Sequence, residues 1–275
     1  MKYTPKELKG NVNISHTSPV REFFLLLGAS LTSILLIYLI LGFAVNLIVP
    51  RLPSSIEENI GSIILQRFEN RSNASAGVQL QKILDDLLRE YPHGEVPYQA
   101  HLVPDNNVNA MALPGGNIIV FSALINEVQS ENELAFVLAH ELGHFANSDH
   151  LRGFGRILVL VTITTTLFGA DNFLNNLLIN SLINVEMKFS QKQEEDADFF
   201  ALDLLQKKYG QVAGATDFFE KLGKKDKRGR ILYYFATHPH PGDRIKTLTE
   251  EIKSKRYSIK EKTPLNKAFK DLKTD

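Results

Sequence analysis

The chain has no cysteine. A disulfide framework and any thiolate-held metal are therefore excluded, so a bound metal must rely on His, Asp or Glu. The absence is compatible with an oxidising compartment, where a stray thiol is a liability, but does not fix one. Neither sign of charge is in excess: 31 Lys and Arg stand against 31 Asp and Glu. Nothing global points to nucleic acid as a partner. Internal repeats are also lacking. What is present is a chain of 275 residues, 44% of them hydrophobic, long enough for one sizeable domain with appendages or for two small ones.

The first feature is an uncharged run from Phe23 to Val49. It exceeds the roughly 20 residues that a helix needs to cross a bilayer, and a core helix is rarely apolar on every face for so long. A cleaved signal peptide would have an apolar region of about 7–15 residues followed by a small-x-small site. Here Ile48-Val49-Pro50-Arg51-Leu52 follows instead. The run is read as an uncleaved transmembrane anchor, 23–49, that contacts the lipid bilayer after a short basic segment, 1–22. Lys2, Lys6, Lys9 and Arg21 precede it, and Arg51 is the only nearby basic residue after it. That bias puts the N-terminus in the cytoplasm and the remainder in the periplasm or an equivalent extracytoplasmic space.

Residues 50–74 read as a tether containing an amphipathic stretch from Ile56 to Phe68. Leu80, Ile83, Leu84, Leu87 and Leu88 recur at helical spacing, and Tyr91-Pro92-His93-Gly94 is a stop signal. Val108 to Leu113 and Asn117 to Ser122 flank Pro114-Gly115-Gly116, which predicts a hairpin or a strand with a sharp corner. Ser130 and Glu133 have the spacing of a capping box that opens a helix. Ile157 to Gly169 and Leu177 to Val185 are apolar but too short to span a bilayer easily; they are read as a buried or partly exposed helical hairpin, with a re-entrant pair as the alternative. Val185 to Lys208 reads as one helix stopped by Gly210. Lys224 to Arg230 and the basic tail, 251–275, read as solvated surface.

The chemistry lies at His140-Glu141-Leu142-Gly143-His144. Residues four apart on a helix share a face about 5–6 Å apart, so His140 and His144 can offer two imidazoles to one ion. Glu141 is rotated about 100° from His140, within reach of a metal-activated water but not a ligand. Three protein ligands plus an open position are needed, and two residues compete for the third place. His150 follows His144 at the spacing of a metzincin, with Asn147 where that motif has Gly; Asn tolerates the left-handed conformation. Glu194 shares a helical stripe with Asp198, Ala201, Leu202 and Leu205, which turns both carboxylates inward and Glu195 and Asp196 outward. Buried carboxylates are costly unless something positive faces them.

Four blocks now resemble a known family. They are Asn109-Ala110-Met111-Ala112-Leu113-Pro114-Gly115-Gly116, His140 to His144, Ser190-Gln191-Lys192-Gln193-Glu194-Glu195-Asp196-Ala197-Asp198, and Thr237-His238-Pro239. Their kind and order are similar to those of the gluzincin membrane metallopeptidases that include HtpX, the prenyl-protein endoprotease and the mitochondrial inner-membrane protease. The resemblance implies that Glu194 is the third zinc ligand, that Asp198 orients a ligand histidine, and that His238 stabilises the oxyanion. It also implies that Asn109, Ala110, Met111 and Ala112 form a substrate-binding strand edge.

The expected fold is α+β, a helix-rich zincin-like metallopeptidase domain over 75–250 with one N-terminal transmembrane helix. Its expected activity is zinc-dependent hydrolysis of peptide bonds in protein substrates, with one Zn2+ per chain, in membrane-associated protein quality control. The rival is a membrane-anchored chaperone or binding protein with a structural metal site. An intact Glu141 argues against it, because a structural zinc needs no such carboxylate.

Overall fold

The computed structural model describes residues 18–66, 68, 74–91, 97–169, 173, 189–225, 238, 241–269 and 272. Nine α-helices are found among them: α1 Pro19–Ile48, α2 Ser54–Leu65, α3 Ala74–Leu88, α4 Ser122–Glu127, α5 Glu131–Ala146, α6 Asp149–Phe168, α7 Gln191–Tyr209, α8 Asp217–Lys225 and α9 Pro241–Ser254. Three strands, β1 Gln99–Val103, β2 Ala110–Leu113 and β3 Asn117–Phe121, form one sheet in the order β1-β3-β2. β1 runs parallel to β3, and β2 pairs with β3 antiparallel from Ala110 opposite Val120 to Leu113 opposite Asn117. The predicted hairpin is therefore present. Its turn needs two left-handed residues, supplied by Gly115 (φ 78°) and Gly116 (φ 75°).

The alternation of a strand assigns the two sheet faces. Leu102, Ala110, Ala112, Ile118 and Val120 join the main core with Leu80, Leu84 and Leu87 of α3 and Leu134, Leu138 and Leu142 of α5. Val103, Met111, Leu113, Ile119 and Phe121 form a smaller cluster on the other face, with Phe189 and the partly covered Ile64, Leu65 and Ile157. α5 is thus sandwiched between the sheet and α7.

The axial position of α5 and α7 is set by their caps. Ser130 accepts from the Glu133 backbone N–H and Ser190 from that of Gln193. The full reciprocal box forms at Ser190 and Gln193. At α5 the Glu133 carboxylate instead accepts from Gln129 N–H at 3.2 Å and pairs with Lys221. Ser190 also starts α7 at Gln191, later than the helix expected from Val185; 185–188 lie outside the described residues. Gly210, left-handed with φ 62°, ends α7 as expected.

α5 and α7 approach so closely that a Cβ at Gly143 would stand 2.8 Å from Ala197 Cα. Only a residue without a side chain allows that contact.

Several segments differ from the sequence reading. The stretch 50–74 holds α2, which docks on the hairpin turn: Glu57 accepts from Gly115 N–H at 3.2 Å. The C-terminal tail is not simply solvated, since Glu131 N–H donates to Thr263 O and Phe269 and Leu272 are buried. After α5 the left-handed residue is Ser148 (φ 55°), not Asn147, which keeps α-helical angles. α6 then runs for 20 residues, longer than its apolar run alone, and joins α1 as a second helix long and apolar enough to cross a membrane. The expected partner segment Leu177 to Val185, the loop 226–230, and Lys2, Lys6 and Lys9 lie outside the described residues.

Gly143→Ala is expected to force α5 and α7 apart and to lower stability by about 1–3 kcal/mol. A denaturant titration that places its midpoint with that of the parent chain would show that the helices need not touch there.

Candidate active site

α5 presents His140, Glu141 and His144, α7 presents Glu194 and Asp198, and His238 and Arg244 arrive from the C-terminal part of the domain. All seven are buried. Helical spacing puts His140 and His144 one turn apart, and their Nε2 atoms converge to 3.1 Å. Glu194 Oε2 lies 3.6 Å from His140 Nε2 and Oε1 lies 3.7 Å from His144 Nε2. His238 Nδ1 lies 3.0 Å from Glu194 Oε1 and 3.3 Å from His140 Nε2.

These four residues each offer a donor atom within 4.8 Å of the others. Ligand atoms held about 2.0–2.1 Å from a tetrahedral ion stand about 3.3 Å apart, and the observed separations bracket that value. The donor set of imidazoles and a carboxylate therefore fits a divalent metal of the zinc type.

The surrounding groups orient the donors. Asp198 Oδ1 is 3.0 Å from His140 Nδ1, and Asp149 Oδ2 is 3.2 Å from His144 Nδ1. A carboxylate that accepts the Nδ1–H leaves Nε2 as the lone-pair atom facing the ion. The Ser148 turn folds Asp149 back onto His144, where it is buried and also accepts from the Gln193 amide at 2.6 Å. Phe189 stacks on the His144 ring with centroids 3.8 Å apart.

Arg244 was not foreseen. Its Nε and Nη2 bind both oxygens of Asp198, at 2.8 and 2.6 Å, and its Nη1 is 2.6 Å from Glu194 Oε2. The guanidinium also lies 4.2 Å from the Phe219 ring centroid. Its place six residues after His238 is a spacing with no helical signal, since the chain between them is not one element.

The electrostatics follow from this burial. Burial pushes the His140 imidazolium well below its ordinary pKa, with Arg244 and His144 acting in the same direction. His140 is thus held neutral, the form that ligates. Burial opposes ionisation of Glu194, but His238 and Arg244 outweigh it and carry its carboxyl down to about 2. Burial likewise disfavours charge on His238, yet the adjacent Glu194 raises its pKa.

Glu141 stands apart. Neither of its carboxylate oxygens has a hydrogen-bond partner among the described residues, and Oε1 is 3.7 Å from His238 Nε2. Asn109, next to β2, is also buried with both amide atoms unpartnered. Ala110, Met111 and Ala112 lie on β2, one of the two edge strands of the sheet. His150 is not among the four clustered donors. Its Nε2 is 3.0 Å from Glu57 of α2 and its Nδ1 is 3.4 Å from His144 O. Thr237 and Pro239 lie outside the described residues.

A buried His-His-Glu-His donor set beside an unpartnered carboxylate is the arrangement of a metallopeptidase. The chain matches the model of peptidase family M48 over residues 75–252 and belongs to that family. It is 29% identical over 186 residues to the metalloprotease LoiP of Escherichia coli (strain K12), covering 66% of this chain and 72% of that one. It is 32% identical over 158 residues to the mitochondrial metalloendopeptidase OMA1 of Arabidopsis thaliana, covering 56% of this chain and 32% of that one. The beta-barrel assembly-enhancing protease of Yersinia pestis is 27% identical over 162 residues, covering 54% of this chain and 33% of that one. The chain thus spans about a third of the length of the latter two relatives.

Arg244→Met is expected to destabilise the metal-free protein by about 3–5 kcal/mol, because two buried carboxylates lose their counter-charge. Denaturant unfolding in the presence of a chelator measures this, and a loss below about 1 kcal/mol would mean that the carboxylates are neutralised in another way.

Proposed function

We propose that this M48 peptidase is a zinc-dependent endopeptidase that hydrolyses peptide bonds in protein substrates at a membrane, in protein quality control. The convergence of the His140, His144 and Glu194 donor atoms, with Glu141 left unpartnered beside them, carries this reading. His140, His144 and Glu194 would hold one Zn2+. A zinc ion in such a site polarises a peptide carbonyl and lowers the pKa of a bound water to about 7.

The chain's own groups supply the remaining steps. Glu141 takes the proton of the attacking water and passes it to the leaving amine. Its lack of a hydrogen bond among the described residues supports this role, since a carboxylate already engaged would need to break a bond first. Asp198 and Asp149 keep the two imidazoles in the ligating tautomer, and Arg244 holds Asp198 and Glu194 in place. His238, with Nε2 turned toward Glu141, is assigned to the oxyanion that develops on the carbonyl.

Substrate is proposed to add to β2 as an extra strand through main-chain hydrogen bonds, with Asn109, Ala110, Met111 and Ala112 as the receiving edge. The position of β2 at the end of the sheet, and the Asn109 amide, which has no hydrogen-bond partner among the described residues, support this reading. α1, apolar and without a buried residue, anchors the chain in the bilayer. The basic residues ahead of it support a cytoplasmic N-terminus and an extracytoplasmic catalytic domain.

Glu141→Gln is expected to abolish casein digestion while retaining zinc, and Glu194→Ala to lose both; His150→Ala should keep its metal. Metal analysis in which His150→Ala loses zinc and Glu194→Ala keeps it would replace Glu194 by His150 as the third ligand. His238→Ala should keep zinc and lower kcat by about 10²–10³ with KM little changed. A rise in activity on its removal would instead mark His238 as a fourth donor that closes the site.

A further inference from the structure

α6 has two parts. Its first turn belongs to the catalytic domain, where Asp149, His150 and Leu151 are buried, and Ile157 still touches the smaller sheet cluster. From Leu158 to Phe168 it carries no charged residue, and large apolar side chains stand open: Leu158 is 43% exposed, Leu167 50% and Phe168 63%. Such large apolar side chains, open on a stretch of helix without charge, point to contact with something other than water.

Three further observations identify the solvent of this surface. The first is its neighbour. α6 lies along α1, and a Cβ at Gly155 would stand 2.7 Å from Val45 Cγ1. On α1, Ile34, Tyr38, Gly42 and Val45 are half-covered at the spacing of one helical stripe, while most of the helix around them is exposed. The second is the threonines. Thr162, Thr164 and Thr166 each donate their hydroxyl to the carbonyl four residues earlier, at 2.8, 3.0 and 2.8 Å. Hydroxyls so placed are satisfied inside the helix and need no water. The third is a polar collar. Asn46 of α1 and Arg152 and Arg156 of α6 line one open depression together with Asp149 and Asp196, a polar band at a suitable depth for lipid headgroups.

We propose that Leu158–Phe168 is embedded in the same bilayer as α1, as a second, lipid-facing helix packed on the Ile34–Val45 stripe. This rests on the reading of α1 as a membrane anchor. Eleven residues rise about 16 Å, roughly half of a 30 Å hydrocarbon core, so the described part of α6 penetrates without crossing. Asp149 lies about 13 Å along the helix from Leu158. The carboxylate that orients His144 is therefore carried by an element fixed in lipid, and the donor set stands just outside the headgroups.

The absence of native cysteine makes a direct test simple. The full chain is reconstituted in phosphatidylcholine–phosphatidylglycerol vesicles as Leu158→Cys, Leu167→Cys, Leu35→Cys or Glu220→Cys, each labelled with an environment-sensitive fluorophore. Zinc content and casein digestion, read separately, report whether the peptidase reading stands. Quenching by doxyl-labelled lipid at 158 and 167, comparable to that at 35 and absent at 220, is the expected result. Quenching of 158 and 167 by aqueous iodide and not by lipid overturns the proposal. If 35 remains lipid-quenched in that case, α6 alone fails; if 35 is also reached by iodide, the anchor fails with it.

Discussion

The contact between Gly143 and Ala197 is the constraint on which the rest of the site depends. A helix pair normally keeps its axes about 8–10 Å apart, set by the side chains between them. Here the side chain is absent on one helix and a methyl on the other, and the backbones close to a separation that would leave no room for a Cβ. That approach lets Glu194, one turn before Ala197, reach the Nε2 atoms of His140 and His144. The same crossing brings Asp198 under His140 Nδ1. Because each residue advances a helix by about 1.5 Å and 100°, a slip of one residue in either helix would disperse the donors. The caps at Ser130 and Ser190 and the left-handed stop at Gly210 oppose such a slip.

The site concentrates buried carboxylates: Glu141, Glu194, Asp198 and Asp149 are all inaccessible. Isolated, such groups would protonate or prevent folding. Three of them are matched, Asp198 and Glu194 by Arg244 and Asp149 by His144 and the Gln193 amide. Glu141 is the exception: it has no hydrogen bond among the described residues and faces His238 Nε2 at 3.7 Å.

Around this centre α2 and the segment near Thr263 are tied to the domain. α2 holds the hairpin turn through Glu57 and Gly115 and also engages His150. The C-terminal strap covers the start of α5. α1 and α6 leave the domain side by side, so the two long apolar helices and the helices that carry the donor set are parts of one continuous framework.

Much of this was legible in the residues alone. The run 23–49, the α3 leucines, the hairpin turn and the helix-borne pair His140 and His144 all carry local signals: apolar length, period and glycine. The stripe that turned Glu194 and Asp198 inward was also local to one helix. What could not be read was set by contacts between residues far apart in the chain. Arg244 meets His140 across 104 positions, His238 meets it across 98, and His150 meets Glu57 across 93. The place of Asp149 likewise depends on a single left-handed residue, Ser148, which turns it onto His144. Periodicity and capping are properties of neighbouring residues, so the sequence determined which helices exist and which faces they bury. Which buried groups meet depends on how closely those helices cross, and only the tertiary packing at Gly143 decided that.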